Sequence, residues 1–207
     1  YSFNGVRPVF HLTVGSGFRA HPLDLDAADL FYSVKDIHVF EPLPTDFTAI
    51  KASDLQDKST PNDTANDKGW FFSLDFSDKG EKVLSKATTR GGYVFFTSYV
   101  PPQDQVESCN PPLGTSFVYA VNLNNGDGLQ TDRHITIQAT GIAPAPMFLT
   151  LHQDPDPDNP PTTEDPFTSN DSRTFVIVGT EKVEFEDEEK ARSILDRVAE
   201  KIYWTQE

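Results

Sequence analysis

One pattern, repeated along the chain, limits its possible folds more than any other feature. It consists of a short apolar strand, a stop of small residues, a loop, and an aromatic-rich strand closed by Asp or Asn. First, Pro8 leads into Val9, Phe10, His11, Leu12, Thr13 and Val14, which end at Gly15, Ser16 and Gly17; Leu30, Phe31, Tyr32, Ser33, Val34 and Asp36 follow after a polar loop. Next, Gly91 and Gly92 precede Tyr93, Val94, Phe95 and Phe96, which stop at Thr97 and Ser98 before a Pro-rich excursion and Phe117, Val118, Tyr119, Ala120, Val121 and Asn122. A last copy starts at Pro144, Ala145, Pro146 and Met147 and is completed by Phe175 to Val178, ending at Gly179 and Thr180. Strands this short cannot bury a face alone, whereas small sheets stacked radially bury both faces of each sheet and protect its edges. The pattern predicts an all-β chain built as antiparallel four-stranded blades of a β-propeller. A β-sandwich would show the same strand lengths and stays open as an alternative.

Finer predictions follow from local periodicity. Consecutive apolar residues from Phe175 to Val178 predict a central strand covered on both faces, and the alternation His134, Ile135, Thr136, Ile137, Gln138 predicts a strand with one solvated side. Asp54 to Lys68 and Gln153 to Ser172, rich in Asp, Asn, Ser, Thr and Pro, read as long acidic loop insertions that are exposed and mobile. Ala191, Ile194, Leu195, Val198 and Ile202 fall at helical spacing between Asp187 and Ile202, predicting a short C-terminal amphipathic helix on the outside of the domain. The 16 Pro, 12 Gly and 16 Phe suit many short strands better than long helices.

Charge and cysteine usage narrow the function. A formal charge of -15 repels phosphate backbones and anionic lipid, which argues against nucleic acid as a partner. No apolar run reaches membrane-spanning length, no basic-then-apolar leader opens the chain, and the absence of an initiating Met predicts a processed or excised piece. Cys109 is the only cysteine, so an internal disulfide is impossible, although a cysteine outside this stretch could pair with it.

Motifs that could carry chemistry are weak. Gly15, Gly17 and Ala20, with Asp36 downstream, match a dinucleotide fingerprint, but Pro22 and the polar residues after it do not support the helix whose N-terminus must meet the pyrophosphate. Asp154, Asp156 and Asp158, with Asp165 at the twelfth position, echo a calcium loop; Asn159 between Pro157 and Pro160 replaces the glycine turn, so weak or no cation binding is expected. His11, His21, His38, His134 and His152 lack paired metal spacing, and Asp24, Asp26 and Asp29 could supply a glycosidase carboxylate pair only if folding spaces them correctly. The sequons at Asn62 and Asn170 lie in the two acidic loops. No catalytic, cofactor-binding or metal-ligating residue is assigned, and no enzyme activity is expected.

The chain resembles PilY/PilC-type proteins of type IV pili in several ordered runs. These are Val14 to Leu23 (VGSGFRAHPL) followed by Leu30 to Asp36 (LFYSVKD), Gly69 to Ala87 (GWFFSLDFSDKGEKVLSKA), and Gly92 to Asn122. Thr140 to Pro146, Phe175 to Glu181 and the closing Lys201 to Trp204 are similar to the family's later segments. The resemblance implies that residues 1–207 are a partial propeller, the C-terminal blades of a larger exported protein at the pilus tip or cell surface of a Gram-negative bacterium. It also implies a role in pilus assembly, opposition to retraction, twitching motility and attachment to host or abiotic surfaces, with minor pilins as partners. The family's calcium loop would lie upstream of Tyr1, leaving no cofactor in this segment. A quinone-dependent propeller enzyme is one alternative, discriminated by a funnel of stacked Trp, for which only Trp70 and Trp204 are available. A generic secreted carbohydrate-binding propeller is the other.

Overall fold

A computed structural model describes residues 2–4, 7–38, 42, 45–60, 67–74, 79–103, 113–138, 141–151 and 173–196. The strands are β1 (Ser2–Asn4), β2 (Arg7–Gly15), β3 (Leu30–Asp36), β4 (Gln56–Asp57), β5 (Gly69–Ser73), β6 (Lys82–Val83), β7 (Thr88–Arg90), β8 (Tyr93–Val100), β9 (Thr115–Asn122), β10 (His134–Ile137), β11 (Met147–Leu151), β12 (Arg173–Val178) and β13 (Glu181–Lys182); one helix, α1 (Glu188–Leu195), follows. They form three sheets: β1-β2-β3-β5-β4; β10-β9-β8-β6 with β7 also on β8; and β11-β12-β13. The meander of β8 beside β9, in register from Tyr93 opposite Asn122 to Val100 opposite Thr115, joins the two strands of the second copy of the pattern in one antiparallel sheet.

Two details of the predicted blades need correction. Among the described residues the sheets hold five, five and three strands rather than four each, and β4 runs parallel to β5. The stretch between Asp57 and Gly69 is long enough to return the chain to the same end of the sheet, which a tight hairpin cannot do. Part of the Asp54 to Lys68 insertion is consequently built into the fold, with Lys58 buried and its backbone N–H donating to Phe71 O at 2.7 Å. Residues 61–66 and 152–172, with both sequons and the Asp154 to Asp165 ladder, lie outside the described residues, as does Cys109.

The second sheet sits between the other two, so its strands are the ones covered on both faces. Val94, Phe96, Phe117, Tyr119 and Val121 meet the first sheet, whereas Phe95, Val118, Ala120 and Ile137 join the core shared with the third. This explains why β8 and β9 read as continuous apolar runs. Phe175 to Val178 reads the same way, but β12 buries Thr174, Val176 and Val178 and leaves Phe175 and Ile177 only half-buried, because no further sheet lies on that side among the described residues. In β10, Ile137 is buried and Thr136 exposed, as the alternation predicts.

Between the first two sheets the core is an aromatic stack. Phe31 lies 3.8 Å from Phe96 and nearly parallel to it, Phe96 stacks on Tyr119 at 4.7 Å, and Trp70 stacks on Phe72 at 5.7 Å. The indole Nε1–H of Trp70 is satisfied by Leu123 O at 2.9 Å. Helix α1 is capped by Asp187, whose side chain accepts from Lys190 N. Its Ala191, Ile194 and Leu195 enter the core of the second and third sheets while Glu188, Glu189, Lys190, Arg192 and Ser193 stay exposed. Arg90 fastens the helix by donating to Leu195 O and to Thr174 Oγ1. Val198 and Ile202 fall outside the described residues.

Candidate interaction face

The connection between β2 and β3 is strapped to the segment that enters the second sheet. A Cβ on Gly15 would stand 2.4 Å from the Val83 side chain, and one on Gly17 would stand 2.5 Å from Val83 O, so only glycine permits this approach. Val83 N donates to Ser16 O at 3.0 Å, Arg19 donates to Leu84 O at 2.9 Å, and Lys82 Nζ donates to Asp24 O at 2.7 Å and also to Gly80 O. Ser16 closes the base of the loop: its hydroxyl donates to Asp29 Oδ1 at 2.6 Å and accepts from Leu30 N at 2.8 Å.

Anchored in this way, the loop presents apolar side chains to solvent. Phe18 and Leu23 are each 64% exposed, with Phe18 4.9 Å from the His21 ring. A shallow cleft lined by Arg19, Leu84, Ser85, Lys86, Ile142 and Ala143 continues the surface toward residues 141–145. That stretch is itself held by Ser116 Oγ donating to Gly141 O at 2.7 Å and Thr97 Oγ1 donating to Pro144 O at 3.0 Å. Exposed apolar groups on a rigid frame, flanked by Arg19 and Lys86, suit protein contact, since little conformational entropy is lost on binding.

Beneath this face lies a polar cluster that sequence reading missed. Glu81 Oε1 accepts from Tyr119 Oη at 2.7 Å and from Ser98 Oγ at 2.5 Å, within a fully buried site. Burial, followed by the charge of Glu81, pushes the Tyr119 phenol well above its usual range. Burial also lowers the Lys82 ammonium, against the opposing fields of Asp29 and Asp24. In the sequence, Glu81 and Lys82 look like an ordinary charged surface pair; their one signal is their position between Gly80 and the apolar Val83 and Leu84. Each is committed to holding the strap. Lys82→Met should leave the carbonyls of Asp24 and Gly80 without their donor and cost about 1–3 kcal/mol in chemical denaturation, against which Lys86→Met serves as the exposed control.

The other candidates do not converge. No helix follows Gly15 and Gly17: residues 16–29 run as turns and coil, and Asp36 is at the far end of β3. Asp24 and Asp26 are exposed, while Asp29 is occupied with Ser16. Among the described residues, no group of three His, Cys, Asp or Glu is arranged to hold a metal ion. Trp70 is spent in the core instead of lining a funnel. His38 is half-buried, and His134 lies edge-on to Phe117 at 4.7 Å.

His11 has a measurable consequence. Burial, reinforced by the Lys35 charge, pushes its pKa from 6.5 down to about 4. The unfolded chain therefore takes up a proton that the folded chain refuses between those values, so stability conferred by neutral His11 is complete above pH 6.5 and lost as pH falls toward about 4. His134 is lowered in the same sense by burial. Unfolding midpoints in urea should fall across this window, and His11→Gln should flatten the fall; an unchanged slope would contradict the assignment.

No protein-family model and no curated protein matches the sequence. The fold is similar to that of the Pseudomonas aeruginosa PilY1 C-terminal domain, known from a crystal structure, at a TM-score of 0.50 and 12% identity over 83% of this chain. The chain spans 40% of the length of that one. The likeness supports the propeller-type arrangement of sheets and excludes nothing about chemistry.

Proposed function

We propose that this chain is part of an exported, pilus-associated adhesion and assembly factor, acting through binding and without catalysis of its own. The observation that carries the reading is the strapped β2–β3 loop, which holds Phe18 and Leu23 in solvent on a rigid sheet end. Its supports are the fold shared with the PilY1 C-terminal domain and the ordered sequence runs similar to PilY/PilC proteins. Several of those runs meet in space: Val14 to Leu23 is bolted to Gly80 to Leu84, and both rest on the strands of Gly92 to Asn122 through Glu81 and Tyr119. In this reading the shared residues build a frame, while exposed loops contact minor pilins, the pilus tip or a surface. The segment needs no cofactor, and any calcium is held elsewhere in the longer protein.

The test is a piliated strain carrying Phe18→Ser with Leu23→Ser in the chromosomal gene. Surface attachment or pilus number is expected to fall several-fold while the purified protein keeps its melting temperature. Normal piliation and attachment in that strain, and equally in one lacking Val94 to Leu123, would remove the assignment.

A further inference from the structure

The three sheets converge on the cleft beside the strapped loop. Arg19 comes from the β2–β3 connection of the first sheet, Leu84, Ser85 and Lys86 follow β6 of the second, and residues 142–145 lead into β11 of the third. The cleft has a volume of about 390 Å³ and walls that are largely apolar, with Leu84 and Ala143 buried and Ile142 43% exposed. Polar groups in those walls are already engaged. Ser85 Oγ accepts from Thr97 N at 3.3 Å and bonds Thr97 Oγ1 at 2.5 Å, and Ala143 N donates to Ser116 Oγ at 3.3 Å. Recognition of a polar ligand group therefore falls to two cations. Arg19 spends one N–H on Leu84 O at 2.9 Å, which fixes its planar fork and leaves further donors. Lys86 is exposed. Among the described residues no acid lines the cleft, and neither Arg19 nor Lys86 is in an ion pair. In a chain with 32 acidic residues against 17 basic ones, this is a local reversal of charge.

We propose that the cleft binds an exposed peptide segment of a partner protein in which an Asp or Glu side chain lies beside a bulky apolar one. Arg19 and Lys86 take the carboxylate, and Leu84, Ile142 and Phe18 take the apolar neighbour. The proposal rests on the reading of this sheet end as a protein-contact face and names the chemistry of the partner. Arg receives a carboxylate through two parallel N–H bonds, which gives direction as well as charge. A polyanion is disfavoured, because a formal charge of -15 repels it along its whole length and its polar groups would leave the apolar walls unfilled. Capture of a terminal carboxylate uses a nest of backbone N–H groups, but here Ala143 has spent its N–H and Pro144 has none.

The test pans a random dodecapeptide library displayed on phage against the whole natural polypeptide that carries this chain, purified, after depletion on its Lys86→Glu variant. Retained peptides are expected to place Asp or Glu beside Leu, Ile, Phe or Val. Made synthetically with capped ends, they should bind the Lys86→Glu and Arg19→Gln variants at least about tenfold more weakly, since a like or missing charge no longer suits the carboxylate. Panning on the Lys86→Glu variant itself should move the preference from acids toward Lys or Arg, a change that loss of folding cannot produce. Retention of no peptide, of peptides without Asp or Glu, or of peptides that bind both variants undiminished would overturn the proposal. So would heparin binding more tightly than the peptides and weakening equally in the Lys86→Glu variant, which assigns the two cations to a polyanion. No outcome depends on piliation, so failure here leaves the adhesion and assembly reading to its own test.

Discussion

Phe96→Ala is expected to destabilise the protein by about 3–5 kcal/mol, the range for truncating a fully buried aromatic residue. Phe96 is wholly buried and stacks face to face with Phe31 on one side and Tyr119 on the other. Removing the ring takes away apolar burial and both stacking contacts, and leaves a cavity between two sheets that their ladders prevent from closing. A chain of this size loses about 2–4 °C per kcal/mol, so the melting temperature should fall by roughly 10 °C. The relevant comparison is Phe47→Ala, at a residue 59% exposed, where little change is expected. A loss below about 1 kcal/mol at Phe96 would show that the first two sheets do not share one core.

Gly69→Ala is the other substitution of large effect. Gly69 opens β5 at φ +119, opposite Val34, and an added Cβ would stand 2.0 Å from Ser33 O. The obstacle is a backbone atom, so no side chain can swing aside, and the strand would have to shift against β3. We expect a loss above about 3 kcal/mol in denaturant titration. Gly92→Ala offers a contrast: its Cβ would meet nothing within 4 Å, although φ is +82, so only the smaller cost of a left-handed backbone applies. Equal destabilisation at the two sites would mean that strain, rather than the Ser33 contact, sets the penalty at Gly69.

Strand identity was readable from the chain because it depends on local periodicity. The runs around Phe10, Phe31, Phe95 and Tyr119 are apolar and rich in β-branched and aromatic residues, with Gly or Pro beside all but the second, and each forms the predicted strand. The helix start at Asp187 is equally local, since its cap reaches only Lys190. In contrast, β4 spans only Gln56–Asp57 among polar neighbours and exists because β5 lies beside it, which no local pattern reports. Two-sided coverage was also hard to place: Phe175 to Val178 and Phe117 to Val121 look alike in sequence, but among the described residues only the latter lies between two sheets.

The candidate face divides along the same line. Sequence by itself determined the long apolar strands, the small-residue stop after Val14 and the apolar character of Phe18 and Leu23, because these are properties of neighbours along the backbone. Tertiary structure alone decided that Gly15 and Gly17 admit Val83 rather than a pyrophosphate, that Lys82 serves the carbonyls of Asp24 and Gly80, and that Glu81 lies buried beneath Tyr119 and Ser98. Apart from Lys82 and Gly80, two positions from each other, the partners in those contacts are 17 to 68 positions apart. The physical reason is that a charged or small residue has no fixed role until the packing of distant sheets sets its dielectric surroundings and the atoms within reach.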